Sequence, residues 1–363
     1  MPSPTYWDYL RLDQLLSLQG GLEGDEAQLM TDELHFIIVH QVFELWFKLV
    51  LRELRLARDH LAAPRVPEET VPYVVHHLRR VNQILRLGVD QFAVMETLTP
   101  QDFLAFRDKL VPASGFQSFQ MRELELVLGL DDAERPMPGT MAPLDHIREL
   151  SAGSPGGALA SGRLEAARGE LTLRLALRRW LYRTPIRGSG PEDPGDDEVV
   201  GGFVEAYLSA IAERHAAQSE RLRAVFGEGK ATRNLESATT MARAFLAADD
   251  VPDAERARAR RVRAALVFIE SYRDLPLLAW PRLLIDTVVE LEELLVLWRT
   301  RHARMVERVI GRRVGTGGSA GVDYLDETAQ VRIFKELWTV RTLLLPRDAN
   351  PALEGASTYG FAR

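Results

Sequence analysis

Apolar residues recur three and four positions apart along nearly the whole chain, and alternating apolar–polar runs are scarce. That period gathers the apolar side chains of a segment on one face of a helix, so the chain reads as all-α. The pattern predicts helices over about 7–19, 26–62, 70–95, 100–110, 115–129, 143–151, 162–183, 198–227, 236–248, 253–274, 279–311 and 325–344. Thr99 or Pro100 opens one of them, with Asp102 in its first turn, where an acid favours the helix dipole. Pro64, Pro67 and Pro72 break the chain between the second and third helices. The stretches 152–161 (AGSPGGALAS) and 187–202 (RGSGPEDPGDDEVVGG) are rich in Gly, Pro and Ser and read as surface loops.

A chain of 363 residues is long enough to bury a large core. Aromatic content thins and charge rises between about 128 and 262. We read that part as a divergent helical elaboration packed on a core formed by 26–125 and 262–344, within a single domain. No internal repeat is visible.

Composition narrows the chemistry. There is no cysteine, which excludes disulfides, thiolate metal sites, iron–sulfur clusters and a cysteine nucleophile. It fits a cytoplasmic location. The net charge of −7 argues against nucleic acid or an anionic membrane as the main partner. The longest apolar run, 36–51, is broken by His40, Gln41, Glu44 and Lys48, so no charge-free membrane span of about 18 residues is expected.

Most of the eight histidines sit beside charges on expected solvent faces. Two do not. His302 falls inside the apolar stripe of Leu294, Leu295, Trp298, Met305, Val306 and Val309. His40 lies in FIIVHQVFELWF, with Phe36 one turn before it and Phe43 and Phe47 after it. Each either completes a packed core or points a ring nitrogen into a pocket; two such histidines in the two most apolar helices favour a shared pocket. The helix carrying His302 runs into the loop GTGGSAG (315–321), where glycine lets the backbone approach a ligand and Thr316 and Ser319 add hydroxyls.

No HExxH or Cys/His spacing marks a hydrolytic zinc site, and no phosphate loop occurs. A flat, apolar cofactor that needs one axial histidine, haem, suits two histidines on apolar faces. In DFLAFRDKL, Arg107 shares a helix face with Phe103. The arginine either pairs with an internal acid such as Asp102 or Asp108, or forks onto a substrate carboxylate. Tyr6, Tyr9 and Leu10 stand near the N-terminus, where aromatic residues dock on their own subunit or reach a neighbour.

In this order, the segments TYWDYLRLDQLLSLQ, DELHFIIVHQVFELWFKLVLREL, QFAVMETLTPQDFLAFRDKLVPASGFQSFQMRE, YRDLPLLAWPRLLIDTVVELEELLVLWRTRHARMVERVIG and GTGGSAGVDYL resemble the tryptophan 2,3-dioxygenase family over roughly half the chain. The resemblance implies an all-α homotetramer with one haem b per subunit, active in the ferrous form, and dioxygen as co-substrate. The implied reaction inserts dioxygen across the indole C2–C3 bond of L-tryptophan to give N-formylkynurenine, as in tryptophan catabolism through kynurenine. It implies His302 as the axial ligand of the haem iron and His40 as the group meeting the indole N–H. Arg107 would clamp the substrate carboxylate and Thr316 would contact the amino-acid head group. Phe36, Phe103 and Leu10 would pack on the indole, Tyr6 and Tyr9 would come from a neighbouring subunit, and Ser114 and Gly115 would line the haem pocket.

Two departures from the family pattern stand out. Ala320 replaces a second serine in the glycine loop, and the segment 128–262 is longer than in compact bacterial members. They leave room for a related monooxygenase that converts tryptophan or β-methyl-tryptophan to a 2-oxindole. A haem-binding helical oligomer without turnover is the reading from another class, and the carboxylate clamp argues against it.

Overall fold

The computed structural model describes residues 3, 5–111, 117–136, 155–227, 229–315 and 321–360. The helix expected over 143–151, and Ser114, Gly115, Thr316 and Ala320, lie outside the described residues. The described helices are α1 (Tyr6–Leu10), α2 (Leu12–Leu15), α3 (Thr31–Ala62), α4 (Val71–Met95), α5 (Pro100–Phe106), α6 (Phe119–Leu128), α7 (Pro155–Arg168) and α8 (Leu173–Arg183). They continue with α9 (Asp196–Phe226), α10 (Lys230–Ala247), α11 (Asp253–Ser271), α12 (Ala279–Ile310), α13 (Val322–Ala329) and α14 (Lys335–Leu343). No strand occurs among the described residues apart from a lone bridge between Ile186 and Ser189, so the class is all-α.

Local chemistry sets the helix ends. The Thr99 hydroxyl accepts from the Asp102 amide at 3.2 Å and Pro100 occupies the first turn of α5. Ser118 caps α6 through the Met121 amide at 3.2 Å, and α6 stops at Gly129 with φ 108°.

Several expected boundaries are corrected. The helix expected over 7–19 is two short helices, because Arg11 turns left-handed at φ 53°. The loop expected over 152–161 is helical from Pro155 onward, where proline suits the first helical turn and alanines follow. The helix expected over 162–183 breaks between Arg168 and Leu173: Thr172 starts a new helix by accepting from the Leu175 amide at 3.1 Å. In the break, Glu170 takes Arg55 Nη2 at 2.7 Å and Nε at 2.9 Å. The helix expected over 325–344 also divides, and Ile333 and Phe334 are buried in the interruption. In the loop expected over 187–202, α9 begins at Asp196 after Gly195 at φ 82°.

The chain divides into two compact units. Unit 1 is Met1–Arg55, Arg79–Glu170 and Leu291–Arg332. Its core is built from α3 (Phe43, Phe47, Val50), α4 (Leu85, Phe92), α6 (Leu124, Leu128) and α12 (Leu294, Leu295, Trp298), all buried. Unit 2 is Leu56–Leu78, Leu171–Glu290 and Ile333–Arg363. Phe203, Tyr207, Leu266 and Phe268 lie in its core. In this unit Arg183 donates to the carbonyls of Leu61, Ala63 and Pro64 at 3.1, 2.8 and 2.7 Å, satisfying acceptors at and beyond the end of α3.

By length and composition alone, α3 is long and apolar enough to cross a membrane. Within unit 1 it is amphipathic instead. Val39, Phe43, Phe47, Val50 and Leu54 are buried, while Lys48 and Arg52 are exposed. Glu44 on the same helix accepts from Ser118 Oγ at 2.6 Å and Gln120 Nε2 at 2.8 Å.

Candidate active site

The site lies in unit 1 and is assembled from α3, α4, α5 and α12. On α12, Leu294, Leu295, Trp298, Met305 and Val309 are buried in one stripe, and His302 stands within it. Its ring stacks on Phe92 of α4, with centroids 5.6 Å apart and planes 13° apart, and meets Trp298 one turn earlier at 5.2 Å. Trp298 packs in turn on Phe43 at 5.9 Å and Phe47 at 5.8 Å.

Burial pushes the His302 imidazole down to about 4, and His40 and Arg122 add to the effect. It is therefore neutral at pH 7. Among the described residues neither of its ring nitrogens has a hydrogen-bond partner. A half-buried, neutral imidazole without a hydrogen-bond partner is available as a ligand. Here the available donor is a single neutral imidazole set among aromatic rings. That donor set fits iron already held by the four nitrogens of a flat macrocycle, which needs one more axial ligand.

His40 on α3 stands within reach of His302's charge balance and is built differently. Its Nδ1 lies 2.8 Å from the Phe36 carbonyl oxygen. A carbonyl can only accept, so Nδ1 carries the proton. Burial lowers this imidazole's pKa, against smaller opposing effects of the Phe36 carbonyl and Glu44. In that neutral tautomer Nε2 is an acceptor, suited to an N–H donor. Phe36 packs on His40 at 4.0 Å, Phe103 at 5.9 Å and Phe106 at 5.6 Å. Both histidine side chains are half-buried and keep part of their surface accessible.

Arg107 follows α5 directly. Its Nη2 donates to the Val314 carbonyl at 2.6 Å, just before the glycine loop, while its Nε is buried with no partner. Among the described residues no carboxylate pairs with it; Asp102 is engaged by the Thr99 hydroxyl instead. A guanidinium held at one end, with a buried donor unspent, can receive a carboxylate.

The structure thus brings His302, His40, Phe36, Phe103 and Arg107 into one unit, four of them on or directly beside the α3–α5 aromatic cluster. Tyr6, Tyr9 and Leu10 are not brought in: α1 buries no residue, and they are 69, 78 and 43% exposed. Two participants were missed from sequence. Phe106, fully buried against Phe36 and Phe103, stands three residues after Phe103 and was legible from helical spacing. Phe92 was not, because nothing local to α4 announces a stacking partner in α12.

The tryptophan 2,3-dioxygenase family model matches residues 2–344. A tryptophan 2,3-dioxygenase of Sorangium cellulosum (strain So ce56) is 46% identical over 374 aligned positions, covering 98% of this chain and 87% of that protein. Tryptophan 2,3-dioxygenase 2 of Ralstonia nicotianae is 45% identical, covering 100% of this chain and 99% of that protein. A tryptophan 2,3-dioxygenase-like protein of Xanthomonas campestris pv. campestris (strain 8004) is 46% identical over 73% of this chain and 98% of its own length. With the family model spanning nearly the whole sequence and relatives aligned end to end, the chain belongs to the tryptophan 2,3-dioxygenase family.

Proposed function

We infer that this protein inserts dioxygen across the indole C2–C3 bond of L-tryptophan to give N-formylkynurenine, with haem b as its cofactor. One observation carries the reading: unit 1 gathers a neutral His302 without a partner, a neutral His40 with an acceptor nitrogen, and an Arg107 without a carboxylate. Each is a group waiting for a different part of one ligand set. His302 would hold the iron, and haem when bound supplies the activation of dioxygen.

The chain's own residues supply position. Arg107 takes the substrate carboxylate, and the charged contact fixes one end of the molecule. Phe36 and Phe103 bound an apolar slot for the indole. His40 Nε2 accepts the indole N–H and orients the ring edge. It acts as an acceptor and no strong base is required, which agrees with its depressed pKa. A slot walled by Phe36, Phe103 and Phe106 keeps water from the reacting bond. By their places in the family motifs, Thr316 takes the head group, and Ser114 and Gly115 line the cofactor pocket.

We further assign the chain to a homotetramer in the cytoplasm. The exposed aromatic face of α1 supports a role for Tyr6, Tyr9 and Leu10 in a neighbouring subunit's site. Ala320 is the sequence feature that favours a second reading, single-oxygen insertion into tryptophan or β-methyl-tryptophan.

The deciding experiment is mass spectrometry of products formed by the reduced, haem-loaded protein under labelled dioxygen. L-tryptophan and β-methyl-tryptophan are offered side by side. Two labelled atoms in a ring-opened product of L-tryptophan are expected. One labelled atom, chiefly in the methylated substrate, would replace the dioxygenase reading with the monooxygenase one. A protein with no Soret band after haem is supplied would remove both.

A further inference from the structure

One turn of α4 touches both helices that carry the site histidines. The Phe92 ring, 2% exposed, meets His302 of α12 at 5.6 Å with the two planes 13° apart. The same ring packs on Trp298 of α12 at 5.4 Å and on Phe43 of α3 at 5.1 Å. Its neighbour Gln91 donates from Nε2 to the Val39 carbonyl of α3 at 3.1 Å, one residue before His40. Val39, Phe43, Gln91, Phe92, Trp298 and His302 all belong to unit 1. Phe92 is therefore held on two sides. A hydrogen bond ties its turn of α4 to α3, and Phe43 backs its ring.

Against this fixed ring the imidazole lies in an offset, nearly parallel stack, with Trp298 at 5.2 Å and 42° to it. Rotation of the imidazole about its Cβ–Cγ bond would break the parallel contact and turn a ring edge toward Phe92. Aromatic pairs in such geometry contribute beyond the area they bury, by about two- to tenfold in an equilibrium constant. Groups around a ligating histidine commonly set its ring plane through a hydrogen bond to the second nitrogen. An aromatic face can do the same through shape, and the contact of Phe92 with His302 has that form.

We propose that Phe92 is a positioning residue for the axial ligand: it fixes the plane of the His302 imidazole and takes its own reference from α3 through Phe43 and Gln91. The inference rests on the haem reading above and deepens it. The plane of an axial imidazole governs how its nitrogen meets the iron, which is one of the protein's means of tuning a haem. The same turn of α4 thereby relates the ligand on α12 to the helix that bears His40.

The test records the iron–histidine stretching band of the ferrous, haem-loaded protein by resonance Raman spectroscopy, and haem loss to excess apomyoglobin beside it. Wild type should give one narrow band. Phe92→Met and Phe92→Leu fill much of the same space without a ring face. In either variant the band should broaden or split, and haem should be lost about two- to tenfold faster. Phe92→Tyr keeps the ring and should keep the narrow band. Leu85→Ala removes a buried side chain seven residues earlier on the same face of α4. It should lower the unfolding midpoint and leave the band narrow, which separates ligand positioning from general packing. A narrow, unshifted band in both ring-free variants would overturn the assignment. Equal broadening in Leu85→Ala would overturn it too, because the effect would then follow from packing alone. Wild type that takes up no haem would take down the cofactor reading itself, a result visible before any variant is made.

Discussion

Lys109 Nζ lies 3.0 Å from Glu33 Oε2, so the turn that carries Arg107 is ionically tied to the first turn of α3. Glu33 is almost fully buried, and the same ammonium reaches Glu23 at 3.0 Å. Three segments thus meet at one charge: the stretch after α2, the start of the helix bearing Phe36 and His40, and the Arg107 turn. Positioning errors of about 1 Å at a reacting centre cost far more than the contact that prevents them. Lys109→Met should raise KM for tryptophan roughly three- to tenfold with a smaller change in kcat. Lys109→Arg should restore most of it. Equal KM in Lys109→Met and wild type would show that Arg107 is placed without this tie.

Arg107 itself should answer differently. Its buried Nε has no partner, and its Nη2 is held by the Val314 carbonyl. Arg107→Leu should weaken tryptophan binding by about 2–4 kcal/mol, the range for truncating one side of a buried charge pair. Decarboxylated tryptophan (tryptamine) should bind the variant and wild type almost alike. Measured dissociation constants for both ligands decide this, and a normal affinity for tryptophan in Arg107→Leu returns the residue to a structural role.

The sequence shows some of this arrangement plainly and hides the rest. The long amphipathic segments that become α3, α4 and α12 are legible because their faces are buried with helical period. His40 and His302 stand out because each interrupts such a face. The break between α7 and α8 is not legible, since it depends on Arg55 gripping Glu170 from a distant helix and on Thr172 accepting a cap bond. Glu125 is hidden for a similar reason. In RELELVLG it reads as one more solvated acid, and only the arrival of Arg135 and Arg299 makes it a buried charge.

The tautomer of His40 leads to another expectation. Nδ1 is committed to the Phe36 carbonyl, so Nε2 can accept an indole N–H but cannot donate while the ring is neutral. L-tryptophan should bind wild type more tightly than 1-methyl-tryptophan, and His40→Ala should lose about 1 kcal/mol for tryptophan but little for the methylated ligand. The acceptor form is the neutral one, and burial lowers the His40 pKa below the ordinary 6.5. Binding should therefore hold as pH drops through 6.5 and weaken only below it. A discrimination that persists unchanged in His40→Ala would assign the N–H contact to another group.

Glu125 gives the clearest dependence on pH. Burial alone would raise its pKa, but the charges of Arg122, Arg135 and Arg299 outweigh this and bring it from 4.5 to about 2. A carboxylate with a depressed folded-state pKa stabilises the fold fully above its unfolded value. That contribution is lost as pH falls through the interval toward 2. The displacement corresponds to about 3 kcal/mol at neutral pH. Glu125→Gln leaves three arginines without their shared acid and should cost about 3–5 kcal/mol above pH 5. Denaturant unfolding of wild type and Glu125→Gln across pH 2–7 checks the sign. The gap between them should be constant above about 5 and close steadily below it, because acid does to wild type what the substitution does at every pH. A gap that stays the same down to pH 2 would mean that Glu125 is not the charge holding the three arginines together.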